Sequence, residues 1–258
     1  MNSAISLISV KGICKSFGDL EVLRNVSFDL YQNEIIAVIG HSGCGKTTLL
    51  RIMCAFEYAD LGHILLESVA HIKPCKEVLM LLQSYEQLQP WRTVLGNVIF
   101  PLLASSSRFV SGPNGTYRMR KNEAKALAMK RISDVGLLGF ENSYPHTLSG
   151  GMKQRAVVAM AMALCPKVLL MDEPFASLDD ITREQLQVLT LRVCGKYGIS
   201  VVLVTHSIEE AILMADRIVV MDRSPGSVKA IVDNPDKQEL TVLGVAEQKE
   251  RILKLMKE

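Results

Sequence analysis

Residues 40–47 read Gly40-His41-Ser42-Gly43-Cys44-Gly45-Lys46-Thr47, which fits the spacing G-x-x-x-x-G-K-[ST]. Glycines at those positions let the backbone curl until successive N–H groups converge on phosphate oxygens, and a following helix adds positive potential. Lys46 has the reach for β- and γ-phosphates, and the Thr47 hydroxyl suits a Mg²⁺ ion. A second chemical element is Val168-Leu169-Leu170-Met171-Asp172-Glu173, an apolar run ending in two adjacent acids. Unpaired buried charge is costly, so such a run ends in carboxylates where they have a use. Beside the loop, Asp172 reads as a Mg²⁺ ligand and Glu173 as the general base for an attacking water. A third element is Leu148-Ser149-Gly150-Gly151-Met152-Lys153-Gln154-Arg155. Ser149 and two glycines ahead of a helix make another anion-binding N-terminus. One nucleotide cannot easily use two such cradles from a single chain, which points to a second chain supplying one.

These residues need a scaffold, and the hydrophobic pattern provides it. Short apolar runs rich in β-branched residues, at 34–39, 168–171, 200–204 and 217–221, read as buried strands of a parallel sheet. Helical stretches at 47–55, 154–164 and 207–215 alternate with them, as an α/β layered fold requires. The N-terminal runs 5–17, 21–30 and 63–66 read instead as a small antiparallel sheet with tight turns. The middle, about 88–147, reads as mostly helical. Within it Ala104 to Thr116 reads as a polar loop, and the basic run 118–131 as a solvated helix face. Residues 246–258 predict a charged amphipathic helix of no obvious chemistry.

Composition sets the outer limits. The 258 residues carry 29 Lys+Arg against 27 Asp+Glu, which leaves no basic footprint for nucleic acid. Mean hydropathy is +0.21, high enough to ask about membrane spans. The longest apolar stretch, 156–165, stops at Pro166-Lys167, well short of the ~20 residues a spanning helix needs. The first twelve residues lack a charged segment followed by a long apolar core, so they do not read as a secretory signal. Six scattered cysteines without a C-x-x-C pair imply neither metal nor disulfide.

Taken in order, these motifs resemble those of the ATP-binding cassette (ABC) family over nearly all of residues 5–225. Leu148 to Arg155 resembles the family signature. Gln83 resembles the glutamine of its Q-loop, Ser177-Leu178-Asp179 its D-loop, His206 its switch histidine, and Phe17 its adenine-stacking aromatic. The resemblance implies an α/β P-loop NTPase with a RecA-like core, an N-terminal antiparallel β-subdomain and a helical subdomain at about 88–165. It places the ATP-binding domain at 5–232 and a helical tail at 233–258. It implies ATP contacts at Phe17, Gly40, His41, Ser42, Gly43, Cys44, Gly45, Lys46, Thr47, Thr48, Gln83, Ser149, Gly150, Gly151 and Asp172. Mg²⁺ would fall to Thr47, Gln83 and Asp172, and catalysis to Glu173, His206 and Lys46. Two copies would pair head-to-tail, Ser149 and Gly151 of one facing the γ-phosphate held by Lys46 of the other.

A finer resemblance rests on Gln89 to Val98, Thr182 to Leu186, His206 to Ala211, Ala215-Asp216-Arg217 and Ser224-Pro225-Gly226. These are similar to the nitrate, sulfonate, taurine and bicarbonate importer ATPases. That implies integral membrane permease subunits as partners, a solute-binding protein reached indirectly, and a peripheral place on the cytoplasmic face of the membrane. The other reading is a soluble ABC-type ATPase acting on nucleic acid or ribosomes. The single cassette and near-neutral charge stand against it. The chain departs from the family pattern at Cys54-Ala55, Leu61-Gly62, Ser68, Thr147 and Met160, positions that serve turns, packing or subunit communication.

Overall fold

The computed structural model describes residues 6–82, 87–104, 109–112, 115–234 and 242–257. In chain order its elements are β1 (Ile8–Phe17), β2 (Leu20–Leu30), β3 (Ile35–Ile39), α1 (Lys46–Met53), β4 (Leu61–Leu66), β5 (Val69–Ala70) and β6 (Val78–Leu81). There follow α2 (Val94–Leu103), β7 (Phe109–Gly112), β8 (Gly115–Arg118), α3 (Lys121–Asp134), α4 (Gly150–Ala163) and β9 (Val168–Asp172). The chain closes with α5 (Asp180–Tyr197), β10 (Ser200–Val204), α6 (Ile208–Met214), β11 (Arg217–Met221), β12 (Val228–Asp233) and α7 (Val242–Lys257). Two compact units result, one of Met1–Met80, Lys167–Pro174 and Gly198–Glu258, the other of Leu81–Pro166 and Phe175–Tyr197.

The first unit holds two sheets. A six-stranded sheet runs β12-β11-β3-β10-β9-β6, with β11, β3, β10 and β9 parallel and β12 antiparallel to β11. All five residues of β3 and of β10 are buried. Both faces of these strands are covered, so an unbroken apolar run rather than alternation is what the sequence had to supply. The second sheet, β2-β1-β4-β5, is antiparallel, and Ile8, Val10, Ile13, Leu23, Val26 and Leu30 send their side chains into the common core.

In the second unit α4 packs against α2, α3 and α5. A polar network ties α3 to α5. Lys196 Nζ donates to Asp134 Oδ1 at 2.5 Å, the Tyr197 hydroxyl donates to Asp134 Oδ2, and the buried Arg131 guanidinium stacks on the Tyr197 ring at 3.7 Å. Burial raises the Asp134 carboxyl; the Lys196 and Tyr197 hydrogen bonds outweigh it and leave it below the ordinary carboxylate range.

The expectation of a plain loop at 104–116 is corrected. Phe109 to Gly112 pairs with Gly115 to Arg118 as a two-stranded hairpin. Gly112 lies opposite Gly115, and two runs of four residues suffice for pairing. Strands β6 and β12 and the mixed character of the large sheet were likewise not anticipated. Among the described residues no helix is long and apolar enough to cross a membrane.

Candidate nucleotide site

Three parallel strands of the first unit end side by side. β10 pairs with both neighbours, Val204 lying opposite Val38 of β3 and opposite Asp172 of β9. Open α/β sheets bind ligands beyond the carboxyl ends of their strands, and the chemistry of this unit gathers there.

The loop after β3 carries residues 40–45 into α1. Gly45, at φ 93°, is the N-cap, and a β-carbon there would lie 2.6 Å from Leu23 Cδ2 and 3.0 Å from the Val22 carbonyl. Only glycine fits a left-handed position pressed against β2. The loop is also backed by Gly226, whose β-carbon would sit 2.0 Å from the Cys44 carbonyl oxygen. Gly226 is fixed from both sides: its N–H donates to Val22 O at 2.8 Å and its carbonyl accepts from Arg24 N at 2.9 Å. Cys44 is buried under the loop, which pushes its thiol up. Lys46 is buried, its ammonium donating to the carbonyls of Gly40 at 2.9 Å and His41 at 3.0 Å. Ser42, Gly43 and Thr47 are exposed, and Thr48 is half-buried in the first turn of α1.

The Asp172 carboxylate meets the Thr47 hydroxyl and lies in the field of Lys46 and Glu173. Burial is the largest influence and Glu173 adds to it, so the carboxyl stands above its ordinary range despite Thr47 and Lys46. Glu173 occupies a left-handed conformation, φ 46°, closed by a hydrogen bond from its N–H to Val204 O at 2.9 Å. Such backbone is costly for a residue with a side chain and clusters at functional sites. The turn brings Glu173 Oε2 to 3.3 Å from Nδ1 of the exposed His206.

Sequence reasoning missed what holds His206 in place. Thr205, buried, donates through its hydroxyl to Glu210 Oε2 at 2.6 Å and accepts from Ser207 N at 3.0 Å. Ser207 in turn caps α6 by accepting from Glu210 N at 3.2 Å. The signal lay in Thr205-His206-Ser207-Ile208-Glu209-Glu210, a hydroxyl–acid spacing typical of a capped helix start. In the sequence Gly226 stands only within Ser224-Pro225-Gly226, and nothing there signals its contact with the loop.

Phe17 is at the end of β1, 48% exposed, with Lys15 Nζ 5.0 Å from its ring centroid. It pairs with Leu20, two residues before the β2 stretch that backs Gly45. Gln83 lies outside the described residues.

The second unit carries the other cradle. Ser149 is the N-cap of α4, accepting from Met152 N at 3.3 Å, and both Ser149 and Gly150 are exposed. A β-carbon on Gly151 would lie 2.5 Å from Thr182 Cγ2. Thr182 itself is held by its N–H donating to Asp179 Oδ1 at 3.0 Å, so Gly151 lies against the N-terminal turn of α5.

A strand, a glycine loop around a buried lysine, and a carboxylate beside a threonine hydroxyl define a nucleotide-phosphate-binding ATPase of the P-loop class. The ABC transporter family model matches residues 23–176, and the chain belongs to that family as an ABC-type ATPase. It is 40% identical over 241 residues to an uncharacterized ABC transporter ATP-binding protein of Methanocaldococcus jannaschii, covering 93% of this chain and 85% of that one. It is 38% identical over 231 residues to an aliphatic sulfonates import ATP-binding protein of Shouchella clausii, covering 90% and 83%. A dimeric ATP-binding cassette solved in a post-hydrolysis state with ADP and Pi superposes with TM-score 0.72 at 27% identity, over 88% of this chain and 98% of that one.

Proposed function

We propose that this chain is the ATP-hydrolysing subunit of an importer for a small anion or organic solute of the nitrate, sulfonate or taurine kind. The observation that carries the hydrolytic part is the Glu173–His206 pair at 3.3 Å beside Lys46, Thr47 and Asp172. The sulfonate-import relative supports the importer part.

In this reading Lys46 exchanges its loop carbonyls for β- and γ-phosphate oxygens, with backbone N–H groups of Gly40 to Thr48 around the phosphates and Phe17 against the adenine. The Glu173 carboxylate takes a proton as the oxygen of a water forms a bond to the γ-phosphorus. The bond from that phosphorus to the bridging oxygen breaks, and ADP leaves with the electron pair. His206 donates to the γ-phosphate and holds the transferring group in line. Thr47 and Asp172 fit a small hard cation, since Mg²⁺ takes one or two protein oxygens along with phosphates and water; Gln83 completes the proposed set. When bound, Mg²⁺ supplies charge neutralisation on the phosphates.

Ser149, Gly150 and Gly151 then serve the nucleotide of a second copy in a head-to-tail dimer, which the dimeric cassette supports. The working ATP-binding domain is 5–232 with 233–258 as its tail, docked on permease subunits at the cytoplasmic face, with the solute-binding protein acting through them. The test is Glu173→Gln in the complete transporter. ATP should remain bound, turnover should stop, and the dimer should accumulate; turnover at the wild-type rate would remove Glu173 from the mechanism.

A further inference from the structure

The C-terminal helix ends against the phosphate loop. In the first unit α7 packs on α6 and β11. It is anchored by the fully buried Ile252, by Lys249 Nζ donating to Glu209 Oε1 at 2.5 Å, and by Gln248 Nε2 donating to Asn234 Oδ1 at 3.2 Å. Asn234 is itself fully buried and donates to the carbonyls of Ile212 at 2.7 Å and Ala215 at 2.8 Å. Thus α7 is fastened to the helix that begins immediately after His206.

Its last turn reaches further. The Met256 carbonyl lies 3.4 Å from Nε2 of His41. A carbonyl only accepts, so Nε2–H is the donor and the imidazole bridges the loop to the helix end. The same residue offers its backbone carbonyl to the Lys46 ammonium at 3.0 Å. A continuous series therefore runs from Met256 through the His41 side chain and backbone to Lys46. The end of α7 also carries partial negative charge, directed at a loop built for anions.

We propose that His41 is a positioning residue that couples α7 to nucleotide occupancy of the phosphate loop. This rests on the nucleotide reading of Lys46. When Lys46 turns from the His41 carbonyl to phosphate oxygens, the peptide at His41 is freed to shift, and the imidazole carries that shift to the last turn of α7. The coupling is reciprocal: whatever binds or releases α7 alters the loop by the same factor.

Amide hydrogen exchange on the full chain, with and without ADP and Mg²⁺, tests this. In the wild type, nucleotide should protect amides 41–48 and change exchange in 253–257 by about fivefold, the scale of one net hydrogen bond. In His41→Ala the last turn should exchange fast in both states, while His41→Gln, which keeps a donor, should restore the nucleotide response. Leu255→Gly with Met256→Gly frays the last turn without shortening the chain, and should abolish the response while Ile252 stays protected. Protection of 41–48 with no change in 253–257, or a response that survives in His41→Ala, overturns the coupling. Absence of protection at 41–48 overturns the nucleotide reading, and the coupling with it.

Discussion

Glu173 and His206 face each other across the ends of two adjacent strands, Oε2 to Nδ1 at 3.3 Å. Neither strand does this alone. β9 must turn at once through a left-handed residue, and β10 must stop at a buried threonine whose hydroxyl is tied to Glu210. The pair is thus the product of two local distortions placed side by side by the sheet.

Glu173→Gln keeps shape and hydrogen bonding but cannot take a proton. Its steady-state ATPase rate should fall by at least about a hundredfold, the usual range for a general base, with little change in nucleotide affinity. Parallel loss of affinity would assign Glu173 to binding instead.

Gly226→Ala directs a methyl group at the Cys44 carbonyl oxygen, 2.0 Å away. Overpacking of this kind costs about 1–3 kcal/mol, and here relief requires moving the phosphate loop. ATP affinity measured by titration should weaken by about tenfold or more. A variant that unfolds at lower temperature but binds ATP normally would confine the strain to the β11–β12 side.

Asp172 gives a pH signature. Burial and Glu173 raise its carboxyl in the fold, so on raising pH the unfolded chain releases the proton first. Stability falls through that window, and the cost persists at neutral pH. Asp172→Asn should therefore raise the Tm of the nucleotide-free protein at pH 7, with the gain shrinking as pH drops into the ordinary carboxylate range. A gain of equal size at acid pH would mark a packing effect.

Asp134 behaves oppositely. Its carboxyl is held below the ordinary range, so the stability it contributes is present above that range and lost as pH falls through its lowered value. Asp134→Ala leaves Arg131, with 5% of its side chain exposed, without its carboxylate. A cost of about 3–5 kcal/mol follows from an uncompensated buried charge. Urea unfolding checks it.

Ala55 offers the reverse, a stabilising change. It lies just past the end of α1 at φ 57°, where its N–H donates to Ile52 O at 3.0 Å and Phe56 N donates to Arg51 O at 2.8 Å. That is a Schellman ending, which favours glycine at this position. Ala55→Gly should gain about 1 kcal/mol net of chain entropy, or about 2–4 °C in Tm by calorimetry.

What the sequence disclosed follows from how local each feature is. The parallel core was legible because strands buried on both faces read as unbroken apolar runs. The loop, the two acids and the Ser-Gly-Gly turn were legible because each is a contiguous string. β6 and β12 were not, since Val78 to Leu81 is short and Val228 to Asp233 is a mostly half-buried strand at the sheet edge. The paired strands within 109–118 were hidden by the Ser, Gly and Pro content of that stretch. Ala55 and Ser68, two of the departures from the family pattern, both adopt positive φ, so these turns form without the glycine that suits such backbone. The contacts of His41 with Met256 and of Gly226 with Cys44 join residues about 180 to 215 positions apart in the chain; no string of letters encodes them.

The place of β10 between β3 and β9 has a mechanical meaning. The phosphate loop and the acidic pair spring from strands two spacings apart, about 9–10 Å, and one fully buried strand lies between them. β10 is a caliper. Its one link to the acidic pair is the Val204 carbonyl that holds the Glu173 N–H, and any repacking that widens or twists the strand changes the span that Lys46, Thr47 and Asp172 must close. Conservative exchanges at Val202 or Val204 should therefore register in catalytic rate before they register in folding.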